Sequence, residues 1–438
     1  MNRTVESGKT LLVDGPASVM VTSGKVEIFG STVESKRKVV VRDGKRLPFA
    51  VEETATFEIS FGENAIAEEV DGDTIPPSWA KACEQLMTIQ TKPLVATILG
   101  TVDSGKTSLC TYLINKLLRQ KQKGAVLDGD LGQSDIGPPC TIAYAFVANP
   151  ITDLFDLRAK NVFFVGETSP SGAVDKTIEG MTSLKKEILD SDPDFVVVDT
   201  DGWVEGEDAV KYKVQLVEKL NPNIIFCIQQ KDELAPLLNA LEKFTKIIVD
   251  SPSTIKQRSR EKRRNLRELG YIKYLGNAKV QSLPLSWLKI EGNDVFGLSE
   301  IHGNIRKAGK IYHLLGMKPL HFAELTDRIC VVIGRRRWIN EDNMKKVEEF
   351  AKKKMVIIRK GEEEGLLMAL YNANRKFLGI GVLHEVDYTR KTLKVLTPVS
   401  EEISIVALGK VKLDKNMKEI PIFEEENKDE FTMFRKLF

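Results

Sequence analysis

The sequence contains one stretch that decides the fold, Gly100-Thr101-Val102-Asp103-Ser104-Gly105-Lys106-Thr107. Two glycines separated by four residues and followed by lysine and threonine fit the phosphate-binding (Walker A) loop. The apolar residues 94–99 precede the loop and predict a buried parallel strand. Leucines recur at helical spacing over residues 109–118 and predict the helix that should follow. The pattern of strand, glycine loop and helix therefore predicts a site for a nucleoside triphosphate.

The chemistry of phosphate binding explains the residue types in this loop. Gly100 and Gly105 allow the backbone to come close to phosphate oxygens, and N–H groups at the helix N-terminus then point at the anion. Lys106 is expected to reach the β- and γ-phosphates, and Thr107 to ligate Mg²⁺. The predicted nucleotide-binding residues are Gly100, Thr101, Val102, Asp103, Ser104, Gly105, Lys106, Thr107 and Ser108.

The composition limits the class of protein. The 438 residues include 64 lysines and arginines and 62 aspartates and glutamates, for a formal net charge of +2. This balance excludes a strongly basic chain, so any contact with nucleic acid must use a local patch. The five cysteines are far apart in sequence and predict reduced core thiols in a cytosolic protein. Because we find neither a signal segment nor a membrane-spanning run, we expect a soluble cytoplasmic protein without a membrane partner, or a nuclear one in a eukaryote.

Three segments of different character follow one another and predict three domains. Residues 1–77 carry short β-branched runs, with a turn at Ser23-Gly24, and predict a β-sandwich or barrel. Residues 78–312 alternate apolar strands with amphipathic helices and predict an α/β P-loop NTPase domain with a mostly parallel sheet. Residues 313–438 predict a small, mostly β C-terminal domain. The strands predicted for the central segment are 94–99, 124–127, 161–165, 195–198, 223–228 and 246–249.

Polar stretches follow two of the predicted central strands. The first is Asp128-Gly129-Asp130-Leu131-Gly132-Gln133-Ser134, which should lie beside the phosphate loop because the carboxyl ends of parallel strands share one edge. Asp130 could orient Mg²⁺ or accept the proton of an attacking hydroxyl. The second is Gly166-Glu167-Thr168-Ser169-Pro170-Ser171-Gly172, whose hydroxyls suit phosphate or hydroxyl recognition. An ordinary polar turn is the alternative for both stretches.

Aromatic and basic residues form three further candidate sites. Trp203 follows the predicted strand 195–198 and suits either a stacking platform for a base or a buried anchor. The basic run over residues 258–267 is either a solvated helix face or an arginine-bearing lid, and its position after a phosphate loop favours the lid. Arg335-Arg336-Arg337-Trp338 is a second basic and aromatic cluster, for which a solvated strand edge is favoured over contact with nucleic acid.

Taken together, these motifs resemble the polynucleotide 5′-hydroxyl kinase family. The family includes the RNA kinase of the eukaryotic pre-mRNA cleavage factor, the nucleolar kinase of pre-ribosomal RNA processing, and archaeal relatives, among which we place this chain. The resemblance covers essentially the whole chain and depends on the order and spacing of four motifs. The matching residues are Asp128, Asp130, Gly132 and Gln133 in an acidic motif, Gly166, Thr168, Ser169 and Pro170 in a clasp, Gly202 and Trp203, and Arg258, Ser259, Arg263 and Arg264 in a lid.

The resemblance implies transfer of the ATP γ-phosphate to the 5′-hydroxyl of RNA or DNA, in RNA processing or repair. It implies that Asp130 acts as base and, with Thr107, organises Mg²⁺. It also implies that Lys106, Arg258 and Arg263 act on the transferring phosphate. The residues that it places at the substrate end are Gln133, Thr168, Ser169 and Trp203. The implied partners are a nucleic acid with a 5′-hydroxyl end and proteins of RNA processing.

Two rival functions stay open at this point. Asp199-Thr200-Asp201-Gly202 fits the Asp-x-x-Gly motif of a switch GTPase, but Gln229-Gln230-Lys231-Asp232 lacks the Asn and Lys that select guanine. A GTPase would also leave the arginine lid unexplained. The second rival is a nucleotide-bound scaffold of an RNA-processing complex, and the intact Lys106, Asp130 and lid arginines argue against it.

Overall fold

The computed structural model describes residues 1–120, 123–292, 305–326 and 328–420. The chain forms two compact units, Met1–Arg267 and Glu268–Phe438. The division into domains 1–77, 78–312 and 313–438 stays a prediction.

Seven strands near the N-terminus form one sheet in which every hydrogen-bonded pair is antiparallel. The strands are β1 (Asn2–Val5), β2 (Lys9–Asp14), β3 (Ala17–Ile28), β4 (Ser31–Thr32), β5 (Lys38–Val41), β6 (Arg46–Phe61) and β7 (Ile66–Asp71). Their order is β4-β3-β6-β2-β7, with β1 also paired to β6 and β5 to β3. The turn predicted at Ser23-Gly24 is wrong, because β3 runs through both residues and shifts its register against β6 between Val21 and Lys25.

The second sheet of this unit carries the phosphate loop. The strands and the helices between them are, in chain order, α1 (Pro77–Met87), β8 (Leu94–Gly100), α2 (Lys106–Leu118), β9 (Gly124–Asp128), β10 (Thr141–Val147), β11 (Asn161–Phe164), α3 (Val174–Leu189), β12 (Phe195–Asp199), α4 (Glu207–Leu220), β13 (Ile224–Gln229), α5 (Ala235–Ala240) and β14 (Lys246–Asp250). The next helix, α6 (Arg260–Tyr274), begins in this unit and ends beyond Arg267. The six predicted strands are confirmed to within one residue at each end. The sequence did not predict β10, which pairs antiparallel with β9 and β11. A parallel return would need a crossover helix, and the described residues 129–140 form none.

The position of β8 decides where the candidate site lies. The strand order is β11-β10-β9-β12-β8-β13-β14, and the neighbours from β9 to β14 in this order are parallel. Both β8 and β12 are buried along their whole length. The phosphate loop after β8 therefore shares one edge with the ends of β9 and β12, where Asp128 and Asp199 are register partners.

The second unit contains two further sheets. Its elements are β15 (Lys279–Pro284), β16 (Lys289–Gly292), α7 (Ile305–Leu315), β17 (His321–Glu324), β18 (Arg328–Ile333), α8 (Glu341–Ala351), β19 (Lys354–Arg359), β20 (Leu366–Tyr371), β21 (Phe377–Asp387), β22 (Thr392–Thr397), β23 (Ile405–Leu413) and β24 (Glu419–Ile420). One sheet has the order β15-β22-β21-β20-β23-β16, with β24 on β23, and the other has the order β17-β18-β19. The sequence did not predict β15 and β16, whose short polar strands belong to the larger sheet of this unit.

All five cysteines are free and buried, which confirms the prediction of core thiols. Among the described residues, no helix is both long enough and apolar enough to cross a membrane.

A buried charge cluster ties the N-terminal sheet to loops of the central sheet. Arg42, which follows β5, donates from Nη2 to Asp135 Oδ1 at 2.7 Å and from Nε to Asp153 Oδ2 at 2.9 Å. Lys45 donates to the other oxygen of Asp135 at 2.6 Å. Both aspartate side chains are only 7% exposed, so their charges depend on these cations.

We predict that Arg42→Ala lowers the free energy of unfolding by about 3–5 kcal/mol, because it leaves buried carboxylates without their partner. The matched control is Lys25→Ala, which breaks the exposed pair with Glu52 and should lower the free energy of unfolding far less. Chemical denaturation of both variants measures the difference. Equal losses in the two variants would contradict the assignment of the Arg42 cluster as a structural link.

Candidate active site

The phosphate loop has the backbone that an anion site needs. Gly105 precedes α2 with a φ of 101°, in the left-handed region that favours glycine. The first N–H groups of α2 are therefore presented at the loop. Lys106 is only 6% exposed, and its Nζ donates to the Thr101 carbonyl at 2.6 Å. The ammonium group is thus held at the loop itself.

Thr107 and Asp199 place two oxygen-bearing side chains next to each other beside the loop. The Thr107 hydroxyl donates to Asp199 Oδ2 at 2.7 Å. The other oxygen of Asp199, Oδ1, is buried and has no hydrogen-bond partner among the described residues. Burial raises the pKa of Asp199 to about 6, although the nearby Lys106 acts in the opposite direction. A hydroxyl and a carboxylate with an unsatisfied oxygen fit a hard divalent cation such as Mg²⁺.

Asp128 of the acidic motif forms hydrogen bonds within its own loop. It is buried, and its Oδ2 accepts hydrogen bonds from Ser134 Oγ and from the N–H groups of Asp135 and Ile136. Burial, reinforced by the negative charges of Asp199 and Asp135, raises the pKa of Asp128 to about 8. This side chain therefore organises the loop that follows β9.

Asp130 has a different environment. Its Oδ1 accepts hydrogen bonds from the N–H groups of Gly132 and Gln133, both at 3.0 Å. Its Oδ2 receives no hydrogen bond from the described part of the chain, so this oxygen is available to a substrate. Burial raises the pKa of Asp130, and the charge of Lys106 partly opposes the rise. A carboxylate with one anchored and one available oxygen is suited to accept a proton.

The acidic motif contacts both the lid and the clasp. Gln133 Nε2 donates to the Arg263 carbonyl at 3.1 Å, which joins the acidic motif to the lid. The Thr168 carbonyl lies 3.0 Å from the point that a Cβ on Gly132 would occupy, so the clasp packs on the acidic motif. Ser169 Oγ is 2.9 Å from Ser171 Oγ within the clasp.

Trp203 is held by a buried polar cluster that the sequence did not suggest. Its ring stacks on Tyr212, with a centroid distance of 5.6 Å and an interplanar angle of 23°. The Asp201 carboxylate accepts hydrogen bonds from the backbone N–H of Trp203 at 2.9 Å, from the Tyr212 hydroxyl at 2.8 Å and from Lys213 Nζ at 2.7 Å. The Lys213 side chain is fully buried. Trp203 is therefore half-buried: its ring packs against the core of the central sheet and lies on a fixed support.

The two lid arginines meet at the phosphate loop. Arg258 Nη1 lies 3.3 Å from Asp103 Oδ1, and Arg263 Nη1 lies 3.2 Å from Asp103 Oδ2. The backbone N–H of Arg258 also donates to Asp103 Oδ2 at 2.9 Å. Arg263 lies in the first turn of α6, whereas Arg258 precedes the helix. The sequence placed Asp103 among the nucleotide-binding residues but did not suggest that it pairs with the lid.

The N-terminal sheet also contributes to the lid, which sequence reasoning missed. The Gly44 carbonyl accepts a hydrogen bond from Arg258 Nε at 2.9 Å, and Asp43 pairs with Lys262 at 2.7 Å. These partners are more than 200 residues apart in sequence. Because Asp43 and Gly44 belong to none of the motifs, no local signal could have linked them to the lid.

The structure therefore brings most of the predicted site residues into one connected group. Gly202 packs on the loop, since a Cβ at this position would lie 2.6 Å from the Val102 backbone N. Asp103 links the loop to both arginines, and Gln133 links the lid to the acidic motif. Ser108 lies in the first turn of α2, and Ser169 bonds within the clasp.

Comparison with known families matches residues 100–277 to the family described as mRNA cleavage and polyadenylation factor CLP1 P-loop. The chain is 30% identical over 358 residues to the polyribonucleotide 5′-hydroxyl-kinase of Pyrococcus abyssi, a match that covers 80% of this chain and 96% of the relative. The kinase of the same name from Methanocaldococcus jannaschii is 28% identical over 341 residues, which cover 77% of this chain and 91% of the relative.

More distant relatives match a similar extent of the chain. The protein CLP1 homolog of Nematostella vectensis is 23% identical over 404 residues, 88% of either chain. A chain from the structure of the wild-type Clp1p–Pcf11p complex superimposes with a TM-score of 0.65 at 15% identity and covers 94% of this chain and 97% of that chain. At this level of identity the structural likeness shows the shared fold.

We predict that Asp128 makes the protein less stable as the pH rises. Its pKa is about 8 in the folded protein against an ordinary value of 3.8. Between these values the folded state binds more protons than the unfolded state, so the free energy of unfolding falls as the pH increases. Asp128→Asn removes this titration and should reduce the difference in unfolding midpoint between about pH 5 and about pH 8.

The control for this prediction is Asp208→Asn, because the Asp208 side chain is 87% exposed. This variant should show the same pH difference as the unmodified protein. Thermal or denaturant unfolding at the two pH values measures it. The same pH difference in Asp128→Asn as in the unmodified protein would contradict the prediction.

Proposed function

Because the chain belongs to the polyribonucleotide 5′-hydroxyl-kinase family, we propose that it transfers the γ-phosphate of ATP to the 5′-hydroxyl end of RNA. The observation that carries this proposal is the meeting of both lid arginines with a carboxylate inside the phosphate loop. The triphosphate site and the cations that neutralise a transferring phosphoryl group thus lie together, as phosphoryl transfer requires. A switch GTPase is disfavoured because residues 229–232 lack the Asn and Lys that select guanine.

On the donor side, the loop N–H groups and Lys106 hold the triphosphate. Thr107 and Asp199 would hold Mg²⁺, with Asp130 as a further carboxylate of the same edge; a bound Mg²⁺ supplies neutralisation of phosphate charge. The unsatisfied buried Oδ1 of Asp199 supports this assignment. Lys106 already lies at the loop, bonded to the Thr101 carbonyl, and exchanges that acceptor for a phosphate oxygen.

On the acceptor side, Asp130 takes the proton of the 5′-hydroxyl. The hydroxyl oxygen forms a bond to the γ-phosphorus while the bond from that phosphorus to the bridging oxygen of ADP breaks. The proton moves to Asp130 Oδ2, and ADP leaves with the electron pair of the broken bond. The raised pKa of Asp130 makes its carboxylate a stronger base than an exposed aspartate.

Arg258 and Arg263 neutralise the charge that is spread over the transferring group. Asp103 holds both guanidinium groups at the loop, so that little reorganisation is needed when phosphate oxygens arrive. Trp203 stacks on the terminal base, and Gln133 and the clasp residues Thr168 and Ser169 position the RNA end. The partly exposed ring of Trp203, held on Tyr212, supports this role.

The flanking β-rich segments have supporting roles in this proposal. The N-terminal domain, residues 1–77, holds the lid through Gly44 and Asp43. The predicted central domain, residues 78–312, carries the reaction. We also propose a protein partner in RNA processing, because the structural relative is a complex of Clp1p with Pcf11p.

The first experiment mixes the protein with γ-labelled ATP, Mg²⁺ and matched 5′-hydroxyl RNA and DNA oligonucleotides. We expect label at the RNA 5′ end, and a loss of about 10²–10³-fold in kcat for Arg263→Ala, as for other removed transition-state donors. Lys106→Ala should lose at least as much. The matched control is Arg260→Ala, an exposed arginine of the same helix, which should keep its activity. No labelled oligonucleotide, with GTP hydrolysed or ATP bound without turnover, would instead support a switch GTPase or a scaffold.

A second prediction concerns the terminal base. Trp203→Ala should raise the KM for RNA by roughly tenfold, since base stacking on an aromatic side chain contributes about 1–3 kcal/mol. The KM for ATP should not change. Trp203→Phe keeps an aromatic ring on Tyr212 and should restore most of the loss. An RNA whose 5′-terminal nucleotide lacks its base should have the same KM with the unmodified protein and with Trp203→Ala. A loss with this abasic RNA as large as with normal RNA would refute the stacking role.

A further inference from the structure

The segment that follows β18 forms an exposed basic and aromatic surface that the proposed reaction does not use. We call it the Arg-Trp loop and define it as Gly334, Arg335, Arg336, Arg337 and Trp338. The three arginines are exposed, and Trp338 is 74% exposed. Since the whole chain carries a net charge of only +2, three consecutive arginines are a local concentration of charge.

Hydrogen bonds within the Arg-Trp loop and to a neighbouring residue fix the conformation of this loop. The Arg337 N–H donates to the Gly334 carbonyl at 3.0 Å, which closes a turn. Arg335 Nε donates to the carbonyl of Lys360, the residue after β19, at 3.2 Å. Ile339 packs against the core of the same unit immediately after the loop. A surface ordered in this way loses little conformational entropy when it binds a ligand.

Trp338 has the surroundings of a stacking platform. The guanidinium carbon of Arg359 lies 4.6 Å from the centre of the indole ring, within the range of a cation–π contact. Most of the indole surface is exposed. Single-stranded nucleic acid binds to such combinations of aromatic and cationic side chains, because every base has a π-face.

Two arginines near Trp338 have no acidic partner in the described part of the chain and are available to bind phosphate groups. Arg335 Nη2 lies 3.7 Å from Glu364, and Arg359 lies 3.5 Å from Glu362, so these two cations are partly compensated. Arg336 and Arg337 form no ion pair with any described residue. Two uncompensated guanidinium groups beside an exposed indole match the alternation of phosphates and bases in an RNA strand.

We propose that the Arg-Trp loop is a second RNA-binding site, which takes unpaired nucleotides other than the reacting 5′ end. Trp338 stacks on a base, and Arg336 and Arg337 contact phosphates. An acidic protein segment would satisfy the arginines but would give the exposed indole no stacking partner, so the surroundings of Trp338 favour RNA. The binding itself does not depend on the kinase reaction.

The test measures the Kd of the full chain for a single-stranded RNA of about 20 nucleotides with a 5′-phosphate, by fluorescence anisotropy over a series of salt concentrations. Trp338→Ala should weaken binding by about tenfold, the effect expected from the loss of one stacked base. The double variant Arg336→Ala/Arg337→Ala should reduce the slope of log K against log salt by about 1.4, since each phosphate contact contributes about 0.7 on a single strand. Double-stranded RNA of the same length should show no effect of Trp338→Ala.

Two controls keep the result specific. Trp287→Ala removes another exposed tryptophan of the same unit, and Lys345→Ala/Lys346→Ala removes two exposed cations from α8. Both should bind RNA as the unmodified chain does. Unchanged Kd and salt slope in the loop variants, or equal losses in the controls, would overturn the proposal.

Phosphorylation of a dinucleotide, which is too short to reach a second site, should be the same in the loop variants and the unmodified chain. A loss of dinucleotide phosphorylation in the loop variants would also overturn the proposal. A chain that bound RNA through the loop but labelled no oligonucleotide would refute the kinase reaction and leave the second site standing.

Discussion

The desolvation of carboxylates at the carboxyl edge of the central sheet is the constraint on which the rest of the site depends. β9 and β12 end in Asp128 and Asp199, which are register partners, and burial raises the pKa of both. Lys106 lies at the same edge, and its charge partly opposes the rise in the pKa of Asp199 and of Asp130. In a medium of low dielectric constant these charges interact strongly with one another and with any ligand. Because buried carboxylates outnumber cations at this edge, it is suited to bind a metal ion. The phosphate loop beside it is suited to bind the phosphate groups that such a metal ion neutralises.

The same requirement for charge compensation determines how the outer segments attach. Asp103 is matched by the two lid arginines, Asp201 by the buried Lys213, and Asp135 by Arg42 and Lys45. Buried ion pairs contribute little net stability, but breaking one is costly, so each pair holds a segment in one position. The lid, the support of Trp203 and the N-terminal sheet are therefore positioned by charge, whereas the sheet beneath them is positioned by apolar packing.

The sequence was most informative where the signal is local. The six apolar strands of the central segment appear within a residue of the predicted bounds, because each is a short apolar run of the kind that β-strands contain. β10 is equally apolar, but an alternation of strands and helices does not predict it, because it returns antiparallel to β9 without a helix between them. β15 and β16 were missed for another reason, since they are short and polar and become strands only through pairing with β22 and β23.

The sequence by itself determined the phosphate loop, the α/β alternation and, through the order of its motifs, the family. These features depend on residues that are neighbours in the chain, so the pattern is complete without a structure. Only the tertiary structure decided that Asp103 pairs with Arg258 and Arg263 and that Asp201, itself bound by Lys213, accepts the backbone N–H of Trp203. Whether a carboxylate is a ligand, a base or a support depends on which cation and which N–H groups surround it. Those partners come from distant parts of the chain, and folding alone brings them together.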